Sequence, residues 1–166
     1  MIKTMNTVLV FFMLLGLISA CSGLKHILPD PKHNSIETIE LIATKNVNQS
    51  TAVAVDIIFV FDEALAGQLS KYTPRNWFNE KGLFEHQYAA KFVAFNYELV
   101  PVSHVKLSLK DERKRFKFSH RKAFKVIVFA DYLEDSLYYS ADITSHNNPV
   151  ITLEQKKLTI VDGNKS

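Results

Sequence analysis

Cysteine is almost absent from this 166-residue chain, in which Cys21 is the only one. A single cysteine excludes an intrachain disulfide and every zinc or cluster motif that needs several thiolates. The six histidines include no pair at the i, i+4 spacing that places two ligands on one helix face. We therefore predict no metal site and no cofactor, and a domain stabilised by packing.

Glycine and net charge are also scarce. With five glycines the chain has no glycine-rich phosphate loop, which disfavours nucleotide enzymes, and no serine lies in a nucleophile elbow. The formal charge of +3 is too small to argue for nucleic acid. Acidic pairs such as Asp131 with Glu134, and Ser119 beside His120, fall between predicted strands, where a solvated turn is the simpler interpretation. We predict no catalytic residue.

Long apolar runs are missing except near the start of the chain. Lys3 precedes the run at residues 8–17 (VLVFFMLLGL), and the small residues Ser19 and Ala20 follow it. Such a run makes roughly 15 Å of helix, whereas a membrane span needs about twenty residues. The pattern is typical of a cleaved signal peptide and disfavours a permanent transmembrane helix.

Residues 17–21 (LISAC) resemble the lipobox of bacterial lipoproteins. The resemblance implies a signal peptide over residues 1–20, cleavage before Cys21, and lipid (diacylglycerol, with palmitate among its acyl chains) on the Cys21 thiol. Ser22 rather than aspartate follows the cysteine, which by resemblance to enterobacterial sorting favours the outer membrane. Several acyl chains, at about 0.8 kcal/mol per buried methylene, give durable anchoring. The alternative is a plain secretory signal with an incidental cysteine near the cut.

The composition divides the mature chain into a linker and one domain. Residues 21–34 contain two prolines and a glycine without sustained periodicity, so we interpret them as a lipidated N-terminus and linker. Residues 35–166 are enough for a single core of moderate size.

Alternating apolar residues predict that this domain is mainly β. In residues 51–61, Val53, Val55 and Ile57 begin one apolar face, and the other face is also mostly apolar, which is typical of a central strand. Further strands are predicted at residues 35–43, 91–100, 105–109, 124–130, 137–143, 150–153 and 158–161. Short strands separated by turn signals favour a two-sheet β-sandwich.

A short two-helix insertion is predicted after the early strand at residues 51–61. Asp62 is suited to cap a first helix, and Thr73 followed by Pro74 forms a second start signal. Gly82 is placed to end the second helix.

Trp77 and Phe78 lie in this second helix. We expect them to pack on the open side of the sheet against Leu65 and Leu69 of the first helix. The alternative is an aromatic platform for a ligand.

The densest charge lies at residues 110–125 (KDERKRFKFSHRKAFK). The simpler interpretation is a solvated hairpin connection whose Phe116 and Phe118 alternate inward. The alternative is a surface that attracts anionic lipid head groups or an acidic partner, since basic residues near such a surface contribute about 1 kcal/mol each. The residues of this possible patch are Arg113, Lys114, Arg115 and Lys117.

Several features together resemble a known family. The lipobox at Cys21, the polar turn at residues 46–50, the strand AVAVDIIFVFD, the insertion containing LAGQL, and the pair Trp77 and Phe78 are similar to the TssJ family of type VI secretion lipoproteins. The resemblance implies a transthyretin-like β-sandwich without catalytic residues. It also implies an outer-membrane anchor that recruits the inner-membrane protein TssM, and no nucleic acid.

Recognition by such a protein is expected at loops that face the periplasm. Exposed loops on a rigid sheet commonly carry binding residues. We therefore predict that Asn46, Asn48 and Gln49 contact the partner. This sequence departs from the usual pattern of the family at Thr51 and Ala52, where proline is common, and at Phe61 and Asp62. The alternative function is a periplasm-facing lipoprotein module that binds a peptide or small ligand.

Overall fold

The computed structural model describes residues 33–116, 119–134 and 139–163, without the side chains of residues 113–116 and 121. The predicted signal peptide, Cys21 and most of the linker therefore lie outside the described residues. Of the predicted basic patch, Lys117 lies outside as well, and so do the side chains of Arg113, Lys114 and Arg115.

Eight strands occur in the described residues, close to the predicted positions. They are β1 (Thr38–Ala43), β2 (Val53–Val60), β3 (Phe92–Leu99), β4 (His104–Ser108), β5 (Lys125–Asp131), β6 (Ser140–Asp142), β7 (Pro149–Leu153) and β8 (Leu158–Asp162). The helices are α1 (Glu63–Leu69), α2 (Pro74–Tyr88) and α3 (Leu109–Phe116). Short 3-10 turns cover Val47–Ser50 and His120–Lys122.

The strands form two sheets of four. The first sheet has the order β4-β1-β7-β8 and the second has the order β3-β2-β5-β6. Strands β1 and β7 run parallel, whereas the other neighbouring pairs are antiparallel. The predicted two-sheet sandwich with a helical insertion after an early strand is confirmed.

Strand β2 has two buried faces, as its sequence predicts. Val55, Ile57 and Phe59 belong to the core between the two sheets, whereas Ile58 and Val60 pack against the helical layer. The alternation follows from the two-residue repeat of a strand, which points successive side chains to opposite faces.

The two inserted helices begin at the predicted capping residues. The backbone N–H of Leu65 donates to Asp62 Oδ1 at 2.9 Å, and that of Asn76 donates to Thr73 Oγ1 at 3.1 Å. These caps satisfy amide groups that have no partner within the first turn of a helix.

The helices cover the outer face of the second sheet. Trp77 is fully buried there with Leu65 and Leu69, and Phe78 packs at the margin of the same cluster. The predicted packing of both aromatic residues is confirmed.

The prediction that Gly82 ends the second helix is wrong, because α2 continues to Tyr88. Phe84 is buried and lies 5.3 Å from the Tyr72 ring and 5.8 Å from the Trp77 ring, measured between centroids. Burying this side chain more than offsets the roughly 1 kcal/mol that glycine costs inside a helix.

The predicted hairpin at residues 110–125 is also wrong, because its first half forms α3. Asp111 and Glu112 occupy the first turn, where the helix dipole favours negative charge. Residues 109–116 contain no glycine or proline that would reverse the chain, and they are rich in residues with high helix propensity. Phe118 and the side chain of Phe116 lie outside the described residues, so the inward alternation of these two residues stays a prediction.

Candidate partner-binding end of the sandwich

Several connections between strands meet at one end of the sandwich. Ala43, the last residue of β1, lies opposite Leu153 at the end of β7. Val53, the first residue of β2, lies opposite Leu99 at the end of β3. The region defined here as the loop end consists of residues 44–52, 100–103, 132–134 and 154–157.

The loop end holds unusual backbone conformations. Among the described residues, the non-glycine residues with positive φ are Asn48 (45°), Gln49 (59°), Ser50 (64°) and Val102 (68°). All four lie in the loop end. Asparagine tolerates this left-handed region, but a β-branched valine adopts it only at a cost in strain. Such strain concentrates in binding segments more than in ordinary turns.

Asn48 is buried, although we expected it to be exposed with its neighbours. Its Nδ2 donates to the carbonyl of Ala52 at 2.7 Å, and its Oδ1 accepts from the N–H of Leu133 at 2.8 Å. The side chain therefore ties the β1–β2 loop to the segment after β5. This contact positions the loop.

Asn46 and Gln49 are exposed, as predicted. They lie on an open depression of about 650 Å³ with Ser50, Glu134, Gln155 and Lys156. Gln49 Nε2 is 3.5 Å from Glu134 Oε1, and Lys156 Nζ donates to the same oxygen at 2.9 Å. Amide, carboxylate and ammonium groups from separate loops thus face solvent together.

Tyr132 links two of these connections through its hydroxyl and its ring. Its hydroxyl donates to the carbonyl of Glu154 at 2.9 Å, and its ring stacks on Tyr139 with centroids 4.0 Å apart. Burial raises the pKa of Tyr132 far above its ordinary value, with a further contribution from Tyr139. The hydroxyl therefore remains a neutral donor at physiological pH, which fixes the β7–β8 turn against the second sheet.

Large apolar side chains are exposed at the same end. Val100, Val102 and Leu133 have relative exposures of 56%, 75% and 60%. Exposed apolar residues rimmed by polar ones are typical of protein interaction sites. Sequence reasoning missed these three residues, because Pro101 indicated only a break between strands and the pattern did not indicate which valines are exposed.

Arg113, Lys114 and Arg115 of the predicted basic patch lie on α3 and are not part of the loop end. Ser108 at the end of β4 lies opposite Thr38 at the start of β1, so α3 follows β4 at the other end of the sandwich. The structure therefore separates the two groups of predicted site residues.

The helical layer does not present Trp77 to a ligand. Its ring is fully buried, and its Nε1 donates to Asp56 Oδ2 at 2.8 Å. Trp77 stacks on Phe129 with centroids 5.8 Å apart. These contacts exclude Trp77 as an open aromatic platform.

A small cavity of about 150 Å³ lies between the C-terminal end of α1 and strands β5 and β6. Lys125 Nζ lies 3.1 Å from Asp142 Oδ2 and donates to Ser70 Oγ at 2.8 Å. The Ser70 hydroxyl in turn donates to the carbonyl of Ala66 at 2.6 Å. Because the ammonium is ion-paired and the hydroxyl already donates, this serine lacks the general base that activates a nucleophile.

Within the described residues, three or more His, Cys, Asp or Glu side chains nowhere gather closely enough to hold a metal ion. No helix in this part of the chain has the length and apolar character needed to cross a membrane.

The sequence matches no protein-family model. It also matches no curated protein.

The fold, by contrast, is similar to solved structures. The type VI secretion lipoprotein TssJ1 from Pseudomonas aeruginosa is 14% identical, with a TM-score of 0.50 over 78% of this chain and 96% of that one. Lip of Serratia marcescens, a membrane-bound component of the type VI secretion system, is 11% identical, with a TM-score of 0.51 over 80% of this chain and 99% of that one. A chain of a structure described as the C-terminal domain of the type VI secretion protein TssM from EAEC is 16% identical, with a TM-score of 0.54 over 77% of this chain and 100% of that one. The described domain therefore has the fold of the type VI secretion lipoprotein TssJ.

Proposed function

We propose that this chain is a non-enzymatic lipoprotein that helps assemble and anchor a type VI secretion membrane complex. The observation that carries the proposal is the fold, which is similar to nearly the full length of a type VI secretion lipoprotein and of a membrane-bound component of that system. The lipobox-like residues 17–21 are a separate support, because they lie outside the described residues that form the sandwich.

In this proposal the chain has three functional parts. Residues 1–20 direct export and are removed, residues 21–34 carry the lipid and link it to the domain, and residues 35–166 form the sandwich. Lipid on Cys21 anchors the protein in the outer membrane, with the domain in the periplasm.

The loop end is the proposed contact for an inner-membrane protein of the TssM type. Asn46 and Gln49 supply exposed amide groups, while Val100, Val102 and Leu133 supply apolar area. Interfaces commonly combine an apolar centre with a polar rim, and the loop end has both. Asn48 contributes by positioning the loop.

Lipidation is tested by labelling with a clickable palmitate in a bacterial host, followed by separation of inner and outer membranes. Wild type should incorporate label and fractionate with the outer membrane, and Cys21→Ala should lose the label. Ser22→Asp is the matched control, because it leaves the cysteine intact and should retain label while shifting toward the inner membrane. A wild-type protein without label contradicts the anchored function.

Partner binding is tested by co-purification with the periplasmic part of the TssM-like protein from the same bacterium. Val102→Asp should weaken the complex at least tenfold, because it places a charge in the proposed apolar centre. Leu83→Asp is the matched control, because Leu83 has a similar exposure of 55% on α2, outside the loop end. Equal binding by wild type and Val102→Asp would remove the loop end as the contact.

A further inference from the structure

The chain enters the domain at the end of the sandwich opposite the loop end. Asn34 is buried, and its Nδ2 donates to the carbonyls of His120 at 2.7 Å and Ala123 at 3.2 Å. The ring of His33 stacks on Phe124 with centroids 4.3 Å apart. These contacts fix the first described residues against the segment between α3 and β5.

Helix α3 begins at the same place. Leu109, its first residue, is fully buried, and its backbone N–H donates to the carbonyl of Glu37 at 3.0 Å. Glu37 directly precedes β1. The first residue of α3 is therefore hydrogen-bonded to the entering chain. We call α3 together with residues 119–124 the entry end.

The charge of the protein is concentrated in this part of the sequence. Residues 110–125 contain eight lysines and arginines and two acidic residues, a net charge of +6. The whole chain has a net charge of +3, so its remaining residues carry −3. The helix dipole favours Asp111 and Glu112 in the first turn of α3 and basic residues further along it, but it does not explain this excess.

The loop end has a different electrostatic character. Lys156 is paired with Glu134 at 2.9 Å and Lys157 with Glu154 at 3.3 Å. These two exposed cations thus have carboxylate partners from the same end, and the loop end has no comparable run of one sign in the sequence. The run of basic residues in the sequence is therefore a feature of the entry end and not of the loop end.

We infer that the entry end rests on the anionic phospholipid surface of the membrane that holds Cys21, with the loop end directed away from it. The inference rests on the proposed lipidation of Cys21 and adds an orientation to it. Twelve peptide steps join Cys21 to His33, and they span about 40 Å at full extension. This tether keeps the entry end at a high effective concentration near the bilayer.

Electrostatic attraction then selects the orientation. Screening at physiological ionic strength limits attraction between exposed charges to about 8 Å, so only a surface held close to the lipid benefits. The tether always keeps the entry end near the bilayer. Anionic lipid is therefore favoured over an acidic protein that must first diffuse to it. The same orientation leaves the loop end accessible to a partner that crosses the periplasm.

The test uses the lipidated protein reconstituted in vesicles of phosphatidylcholine, with or without phosphatidylglycerol. Because lipid occupies Cys21, a new cysteine carries the only free thiol for a fluorescent dye. Ser119→Cys places the dye at the entry end and Gln155→Cys places it at the loop end, and both positions are exposed and uncharged. Brominated phospholipid then reports proximity to the bilayer by quenching the dye.

Two triple variants of equal charge change show which residues attract the lipid. One carries Arg113→Gln, Lys114→Gln and Arg115→Gln, and the control carries Lys45→Gln, Lys156→Gln and Lys157→Gln. Each basic residue near anionic lipid shifts the balance between bound and free orientations by about fivefold, so the first triple variant should shift it about a hundredfold.

We expect quenching at Ser119→Cys but not at Gln155→Cys, only with phosphatidylglycerol, and reversal at about 1 M salt, where the screening length is about 3 Å. The α3 triple variant should lose the quenching and the control should keep it. Equal quenching of the dye at both positions, or equal quenching with and without phosphatidylglycerol, would overturn the proposed orientation. If palmitate labels Cys21 while the entry end is not quenched, the orientation fails and the anchored function stands, whereas absent labelling removes both.

Discussion

The indole Nε1 of Trp77 donates a 2.8 Å hydrogen bond to Asp56 Oδ2, and both residues are buried. Asp56 lies on β2, where its second oxygen accepts from Asn96 Nδ2 of β3 at 2.7 Å. Lys81 Nζ lies 3.1 Å from Oδ2 and comes from the same helix as Trp77. One carboxylate therefore connects α2 to the second sheet, which explains how a charged residue is accommodated in a buried strand.

Removing the indole should destabilise the domain strongly. We expect Trp77→Ala to lower the free energy of unfolding by about 3–5 kcal/mol, because it opens a cavity beside Phe129 and removes a donor from Asp56. Urea denaturation measures the change. Phe78→Ala is the control on the same helix and should cost clearly less, since Phe78 is only partly buried. Equal losses for the two variants would contradict the central role of Trp77.

Removing the carboxylate should also be costly. Asp56→Ala leaves three donors without their acceptor, and we expect a loss of about 3 kcal/mol or more in the free energy of unfolding. Glu98→Ala on the neighbouring strand removes an exposed carboxylate and should change it by about 0.5 kcal/mol or less. The same denaturation experiment compares them. A small effect of Asp56→Ala would show that Trp77 and Lys81 find other partners.

Substitutions at two neighbouring residues of the β1–β2 loop should affect stability and partner binding differently. Asn48→Ala should cost about 2–3 kcal/mol in the free energy of unfolding, since it removes two hydrogen bonds and leaves alanine with a positive φ. Gln49→Gly relieves the left-handed conformation without loss of buried contacts, so the fold should be retained while partner affinity falls. Thermal unfolding and partner titration distinguish the two effects, and unchanged affinity for Gln49→Gly would exclude a direct contact.

Substitution by alanine should have opposite effects on stability at two glycines with different surroundings. A Cβ at Gly82 meets nothing within 4 Å, so Gly82→Ala should stabilise the domain by about 0.5–1 kcal/mol through helix propensity. A Cβ at Gly163 lies 3.1 Å from the carbonyl oxygen of Asn148, so Gly163→Ala should be destabilising. Melting temperatures of both variants test the pair. A destabilising Gly82→Ala would show that this exposed helix face needs glycine.

Acid should weaken the start of α1. The hydrogen bond from Lys91 holds the pKa of Asp62 below its ordinary value, with a further contribution from the Leu65 N–H. A depressed folded pKa means that the carboxylate stabilises the protein above the unfolded pKa and loses this effect as pH falls through the folded value. The urea midpoint of wild type should therefore fall as pH is lowered from the unfolded pKa of Asp62 through its folded pKa. The midpoint of Asp62→Asn should fall less over the same interval. Lys91→Gln should raise the Asp62 pKa in an NMR titration, and an unchanged pKa would contradict the assignment.

The sequence by itself determined the local structure of this protein. The alternation in β2 and the caps at Asp62 and Thr73 follow from side chains close in the chain, because strand periodicity and capping are local effects. The same locality explains why a lone glycine and a charged run were misleading. Gly82 stays in a helix because Phe84 is buried by residues from other segments, and α3 replaces the expected hairpin.

Only the tertiary structure decided which residues share a surface. Sheet register brings Val102, Leu133 and Gln49 to one end of the sandwich, although they lie far apart in sequence, and it buries Asn48 among them. It also places α3 beside the entering chain at the other end. Exposure and proximity of this kind depend on long-range strand pairing, which a local pattern does not contain.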